Sequence, residues 1–308
     1  VYKRQDLTEL GCDADWIIQR TGIQQRRRAA DDEATSDLAY EAAVRCLANA
    51  GVDSGDVDMI LVATMTPDTL TPSVACTVQR RLGAVAAAVD LNAACSGFVY
   101  AMVTGMQFVR TGCSRRVLVI GSDVMSRIIN PADKKTYPLF GDGAGAVLLG
   151  GGQQDQGFLS FALGSEGDLG ELLTIPGGGS RQPLTAEALL RGDQYMRMDG
   201  RAVFKWAVRM VHDIANDVVQ HAEMTMDEID LVVMHQANLR IIDAAVEGLG
   251  IAREKVLVNL DRYGNTTAAS IPLVLDEAAA AGRLNPGDRV LTMGFGAGLT
   301  WGAGVLSY

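Results

Sequence analysis

The chain repeats itself, and this constrains its fold more than any single motif does. "GVDSGDVDMILVATMTP" (51–67) resembles "EMTMDEIDLVVMHQAN" (223–238); each runs from a helix end through an acidic turn into an apolar strand and a polar loop. "RLGAVAAAVDLNAACSG" (81–97) resembles "GLGIAREKVLVNLDRYGNTTA" (248–268), and "RRVLVIGSD" (115–123) resembles "DRVLTMGFG" (288–296). "GAGAVLL" (143–149) resembles "GAGVLSY" (302–308). The pairs come in the same order in both halves, offset by about 160 to 173 residues. Chance similarity among buried strands would not keep that order. The simplest reading is a duplicated unit, with halves at 1–155 and 156–308.

Each unit is of α/β type. The runs 58–64, 86–91, 116–122 and 144–150 read as strands, and 36–51, 71–83 and 96–112 as helices that stop at Gly51, Gly83 and Gly112. Such alternation predicts helices packed on a parallel or mixed sheet. Residues 151–200 break the rhythm with "GGQQDQG", "GSEGDLGELL" and "PGGGSRQPL". They read as the crossover between halves, with loops able to cover a pocket.

Composition excludes several function classes. A net charge of −10 argues against generic binding to nucleic acid or to an anionic membrane. Five irregularly spaced cysteines (Cys12, Cys46, Cys76, Cys95, Cys113) favour reduced thiols and a cytoplasmic setting. Without CxxC or HExxH, and with only His212, His221 and His235 as histidines, a metal site is not expected. No apolar run is long enough to span a bilayer, and no signal-peptide pattern is present.

Duplication gives three residues a reason to meet. Cys95 follows a strand and opens a helical segment, with small neighbours Ala93, Ala94, Ser96 and Gly97 that let a substrate approach. At a helix start, free N–H groups and the helix dipole favour a thiolate. The matching junction of the other half carries Asn265, and His235 leaves the buried run "LVVM" for a polar turn. A pseudo-twofold axis would bring all three to the carboxyl ends of strands, where α/β proteins bind ligands. Taken singly, a cysteine is more often a packing residue, and a lone histidine in such a turn is structural as often as functional. "GDGAGA" (141–146) formally fits a dinucleotide-binding pattern, but the strand-like "VLLG" follows it instead of a helix.

"AACSGF", "FGDGAGAV", "HQANLRII", "RYGNTTAAS" and "GFGAGLTWG", in that order, resemble the 3-oxoacyl-[acyl-carrier-protein] synthase III family. The resemblance runs from about "DADWIIQRTGI" (13–23) to Tyr308. It implies a thiolase-like fold, two halves in a five-layered α/β/α/β/α arrangement, working as a homodimer with no metal or redox cofactor. It implies that Cys95 takes an acyl group from acyl-CoA, and that His235 and Asn265 donate hydrogen bonds to the thioester oxygen of malonyl-ACP as it decarboxylates. The resulting carbanion attacks the acyl-Cys95 carbonyl, whose oxyanion is held by the backbone N–H groups of Cys95 and Ala297. The expected primer is acetyl-CoA.

The resemblance further assigns Trp16 and Arg20 to the adenine end of coenzyme A, and Thr21, Phe204, Ala237 and Asn238 to the pantetheine tunnel. Lys205 and Arg240 belong to a basic patch that docks the carrier protein. Thr71, in "TPDTLTPS" (66–73), is the residue expected to close the acyl pocket of the partner subunit, and its small size leaves room beyond acetyl. The sequence departs from the family pattern in places. Lys134 and Lys135 stand where Arg-Gly is common, Arg201 where asparagine is frequent, and "VYKRQ" replaces an opening strand, which would leave an edge in the first sheet. The competing readings are a thiolase-fold acyltransferase of secondary metabolism using another acceptor, hydroxymethylglutaryl-CoA synthase chemistry, which would need a carboxylate where Asn265 stands, and a non-catalytic carrier-binding subunit, against which Cys95 argues.

Overall fold

The computed structural model describes residues 2–3, 7, 10–12, 14–152 and 156–308. Expectations resting on Val1, Arg4, Gln5 and Asp13 lie outside the described residues. In chain order the first half contains β1 (Tyr2–Lys3), α1 (Ala14–Thr21), β2 (Gln25–Arg26), α2 (Thr35–Ala50), β3 (Met59–Ala63), α3 (Val74–Leu82), β4 (Ala87–Leu91), α4 (Gly97–Arg110), β5 (Arg116–Asp123) and β6 (Gly143–Gly150). The second contains β7 (Gly157–Ser165), β8 (Leu173–Thr174), α5 (Ala186–Leu190), β9 (Arg197–Met198), α6 (Gly200–His221), β10 (Leu231–Met234), α7 (Leu239–Leu249), α8 (Leu260–Tyr263), α9 (Ser270–Ala280), β11 (Arg289–Gly296) and β12 (Thr300–Ser307).

Two mixed sheets carry the molecule, ordered β4-β3-β5-β6 and β10-β11-β12-β7. β3 pairs parallel with β4 and β5, and β5 antiparallel with β6. β10 pairs parallel with β11, and β11 antiparallel with β12, so the repeated motifs occupy matching places. The entry to the repeated strands uses one device twice. Asp58 accepts the N–H of Arg116 at 3.0 Å, and Asp230 accepts that of Arg289 at 2.8 Å. The match thins at one point. β4 is a full strand, whereas its counterpart is a single parallel bridge between Val232 and Val256.

Burial alternation along the strands explains the layers. In β3 and β5, Leu61, Ala63, Val117 and Val119 face the central core, while Ile60, Val62, Leu118 and Ile120 face α2 and α3. In β10, Leu231 and Val233 face the centre, and Val232 and Met234 face α6 and α7. A strand buried on both faces must be apolar at every position, hence "MILVA" and "LVVM". The central layer consists of α4 and α9, giving five layers in the order helix, sheet, helix, sheet, helix.

The predicted helices form with small end shifts. α2 stops at Gly51 and α3 at Gly83, both in the left-handed conformation (φ 63° and 66°) that glycine takes without steric penalty. α3 starts at Val74, because Asp90 of β4 accepts the N–H groups of Val74 and Ala75 at 2.8 Å each and Ser73 caps that of Cys76. The outer side of β6 bears no strand among the described residues, whereas β7 fills the corresponding place beside β12. Tyr2–Lys3 pairs with Gln25–Arg26 in a separate two-stranded sheet.

Candidate active site

Cys95 sits where two elements leave no slack. β4 ends at Leu91, a short 3₁₀ turn covers Ala94–Ser96, and α4 begins at Gly97. Ala94 adopts φ 47°, a costly conformation for a residue with a Cβ, and this turns Cys95 into the space between the halves. The end of β11 presses on the same turn: a Cβ on Gly296 would lie 2.7 Å from the Cys95 nitrogen. The hydroxyls of Ser96 and Thr300, 2.8 Å apart, tie the turn to the start of β12.

The helix start favours a thiolate, and the depth of the site works against one. Burial pushes the Cys95 thiol pKa up, the nearby Asp123 charge adds to this, and the residue's own backbone N–H opposes both only weakly. Cys95 is 5% exposed. His235 is 1% exposed, and burial lowers its pKa to about 3. Burial thus works against charge on both groups.

His235 follows β10, and its N–H donates to Met293 of β11 at 2.7 Å. Its ring packs against the Phe295 ring (centroids 5.3 Å apart, planes at 73°), and Nδ1 lies 2.7 Å from the Ser270 hydroxyl. Asn265 is fixed through its backbone: its N–H donates to Leu139 at 2.8 Å and its carbonyl accepts from Gly141 at 2.9 Å. Its side-chain Oδ1 accepts the Thr267 N–H at 3.0 Å, so the amide NH₂ is the end left for the cavity. Cys95, His235, Asn265 and Ala297 all line one cavity of about 740 Å³, counted to its open mouth, with walls that include Met65, Phe140, Met196 and Phe295.

Phe204, Ala237 and Asn238 line the same cavity. Thr21 does not join them. It is buried, and its hydroxyl donates to Ile17 at 2.6 Å and accepts from the Ile23 N–H, which closes the end of α1. Trp16 and Arg20 are exposed on α1, with the guanidinium stacked 4.9 Å from the indole centroid. Arg240 is exposed and stacks on Phe204 at 5.4 Å, while Lys205 is exposed beside it, so both cations lie near the mouth. Lys134, Lys135 and Arg201 are exposed too, and Thr71 lies on an exposed turn away from this chain's own cavity.

Two contributors were not singled out from sequence. Ser270 closes the quoted motif "RYGNTTAAS" but has no spacing rule attached to it. Asp123, fully buried, accepts from the Thr64 and Thr66 hydroxyls (3.0 and 2.9 Å), from the N–H groups of Met65 (2.9 Å) and Ala268 (3.2 Å), and from the Thr267 hydroxyl. Burial pushes its pKa up, against these hydrogen bonds. It joins the end of β5 to the turn that follows Asn265.

The duplicated five-layer architecture, with a cysteine, a histidine and an asparagine on the wall shared by both halves, defines a thiolase-like condensing enzyme. Family models described as 3-oxoacyl-[acyl-carrier-protein (ACP)] synthase III match residues 89–167, and as its C-terminal part residues 219–308. The chain is 56% identical to the beta-ketoacyl-[acyl-carrier-protein] synthase III of Rhodopirellula baltica, covering 100% of this chain and 94% of that one. It is 49% identical to the Desulfitobacterium hafniense enzyme of the same name, over 95% of this chain and 89% of that one. The crystal structure of the Thermus thermophilus synthase III superposes with a TM-score of 0.93 at 43% identity, covering 100% of this chain and 95% of that one. The priming beta-ketosynthase of the R1128 polyketide pathway superposes at 0.91 with 33% identity, covering 99% and 91%. The chain belongs to the 3-oxoacyl-[acyl-carrier-protein] synthase III family, and it is an acyltransferase that carries out initiating condensation in fatty acid synthesis.

Proposed function

We propose that acyl-CoA acylates Cys95, that malonyl-ACP then decarboxylates against His235 and Asn265, and that the carbanion attacks the acyl thioester to give 3-oxoacyl-ACP, carbon dioxide and free coenzyme A. The observation that carries this is the clamped Asn265 amide. With Oδ1 taken by Thr267, only the NH₂ faces the cavity, which is what a developing enolate oxygen needs. A neutral resting thiol fits as well. The thiol proton of Cys95 passes to the departing coenzyme A sulfur as Cys95 attacks the acyl-CoA carbonyl, so no net charge stays in the apolar cavity. The backbone N–H groups of Cys95 and Ala297 are the proposed donors to the tetrahedral oxyanion.

The stacked Trp16–Arg20 pair supplies a flat, cationic surface suited to an adenine nucleotide, with Lys134, Lys135 and Arg201 as further cations. Phe204, Ala237 and Asn238 would line the pantetheine arm, without Thr21. Arg201, Lys205 and Arg209 recur every four residues along α6 and are exposed, and with Arg240 they give a local positive face for an acidic carrier protein despite the overall charge of −10. The homodimer reading rests on β4, whose outer edge pairs with no strand among the described residues and which carries exposed Val89 (42%) and follows exposed Val85 (91%). In such a dimer Thr71 would close the partner's acyl pocket. The division at 155/156 is part of the same reading, since the first sheet ends at Gly150 and the second starts at Gly157.

All five cysteines are free thiols, which supports a cytoplasmic setting. No helix of the described residues is long and apolar enough to cross a membrane. The deciding experiment incubates the protein with a panel of acyl-CoAs, identifies the acylated cysteine by mass spectrometry, and then adds malonyl-ACP. Loading on Cys95 followed by carbon dioxide release is expected. Loading without carbon dioxide release would favour an acyltransferase using another acceptor, and loading on another cysteine would overturn the mechanism. Acceptance of acetyl-CoA alone would refute the roomy-pocket reading of Thr71.

A further inference from the structure

Ser270, the first residue of α9, is 1% exposed, and its hydroxyl lies 2.7 Å from His235 Nδ1 and 2.8 Å from the Thr267 carbonyl. A hydroxyl has one proton and can serve one of these two acceptors. If the proton goes to Thr267, Nδ1 must carry its own hydrogen and Nε2 is bare. If it goes to Nδ1, the hydrogen of the neutral ring stands on Nε2.

Two features favour the second arrangement. The Thr267 carbonyl already accepts the backbone N–H of Ser270, so it is satisfied without the hydroxyl. Nδ1 has no such alternative: Ser270 is its hydrogen-bond partner among the described residues, and the ring's other close neighbour is the Phe295 ring. We propose that Ser270 is a positioning residue that donates its proton to His235 Nδ1 and so biases the free site toward the Nε2–H tautomer. This deepens, and rests on, the reading of His235 as a hydrogen-bond donor to the enolate oxygen, since only that tautomer presents a hydrogen to the cavity.

With Nδ1 accepting from Ser270, Nε2 keeps its hydrogen through acylation and condensation alike. The same turn sets the second donor, because the Thr267 N–H holds Asn265 Oδ1 while the Thr267 hydroxyl is held by Asp123. One short segment, 265–270, thus presents both enolate donors.

The test uses ¹⁵N-histidine-labelled protein. The chain has only three histidines, and His235→Ala assigns the signal of interest. At neutral pH the His235 spectrum is expected to show a protonated Nε2 and a bare Nδ1; a protonated Nδ1 in the free enzyme would overturn the proposal, even if no variant folds. Ser270→Ala is expected to mix the tautomers and to lower kcat for malonyl-ACP decarboxylation about tenfold, the factor of one ordinary hydrogen bond, with KM unchanged. Ser270→Thr is expected to restore both the spectrum and the rate. The His235→Ala control separates the two levels. If it decarboxylates at the unmodified rate, the role of His235 itself is wrong. If it is inactive while Ser270→Ala keeps the unmodified tautomer and rate, the role of Ser270 alone is wrong.

Discussion

Replacing Asn265 by aspartate exchanges one NH₂ for one oxygen and keeps the shape. Because Thr267 N–H holds Oδ1 at 3.0 Å, the exchanged atom is the one facing the cavity. Removing a donor to a developing oxyanion costs about 10²–10³ in rate. The new carboxylate adds repulsion: two charges about 4 Å apart at an effective dielectric of about 20 interact by about 4 kcal/mol, a further factor of about 10³. At 6% exposure, water screens little of this. Asn265→Ala should therefore lower decarboxylation of malonyl-ACP by about 10²–10³, and Asn265→Asp by about 10⁵ or more. The assay is release of labelled carbon dioxide, run beside mass-spectrometric loading of Cys95 from acyl-CoA. Loading should fall less than tenfold in both variants. Equal rates of decarboxylation in the alanine and aspartate variants would refute the electrostatic argument, and equal losses in loading and decarboxylation would show that Asn265 supports the whole site instead of the enolate.

Gly296→Ala places a methyl 2.7 Å from the Cys95 nitrogen and 2.9 Å from its Cβ, so the turn must move; a cost of about 1–3 kcal/mol in urea unfolding and slower acylation of Cys95 are expected. Phe98, 0% exposed in the central layer, should cost about 3–5 kcal/mol when cut to alanine, read from denaturant midpoints. Burial opposes the ionisation of Glu277, but hydrogen bonds from Arg262, Tyr263 and Asn259 outweigh it and hold its pKa below the usual carboxylate value. Its contribution is present above the unfolded pKa of about 4.3 and lost as pH falls through the lower folded value, so Glu277→Gln should flatten the acid limb of a stability–pH curve.

Much of this was legible in the sequence because burial on both faces of a strand leaves a simple signature. "MILVA" and "LVVM" could only be central strands, and their repetition located two sheets and the strand ends where Cys95, His235 and Asn265 meet. What was not legible depends on three-dimensional detail. The counterpart of β4 shrinks to one bridge at Val256, which no apolar run announces. The short elements β8, α5 and β9 lie in the Gly-rich stretch whose pattern has no period. Thr21 is adjacent to the right motif, but its hydroxyl is consumed by its own helix. Helix position, which favours a thiolate at Cys95, is visible in sequence, whereas depth of burial, which works against one, is not.

The central layer has a consequence for how such an enzyme can diversify. α4 begins two residues after Cys95 and α9 five after Asn265, and both helices are packed between the two sheets. Each half therefore supplies part of the other's interior, and the reacting groups hang from the least yielding part of the molecule. Adaptation to a new primer or carrier has little freedom there. It is free at the periphery, in the irregular crossover segment, the exposed turn at Thr71 and the cationic face of α6, where residues can be exchanged without disturbing the two buried helices. The chemistry and its choice of partners are thus carried by separate populations of residues, one held fixed by packing and the other open to change.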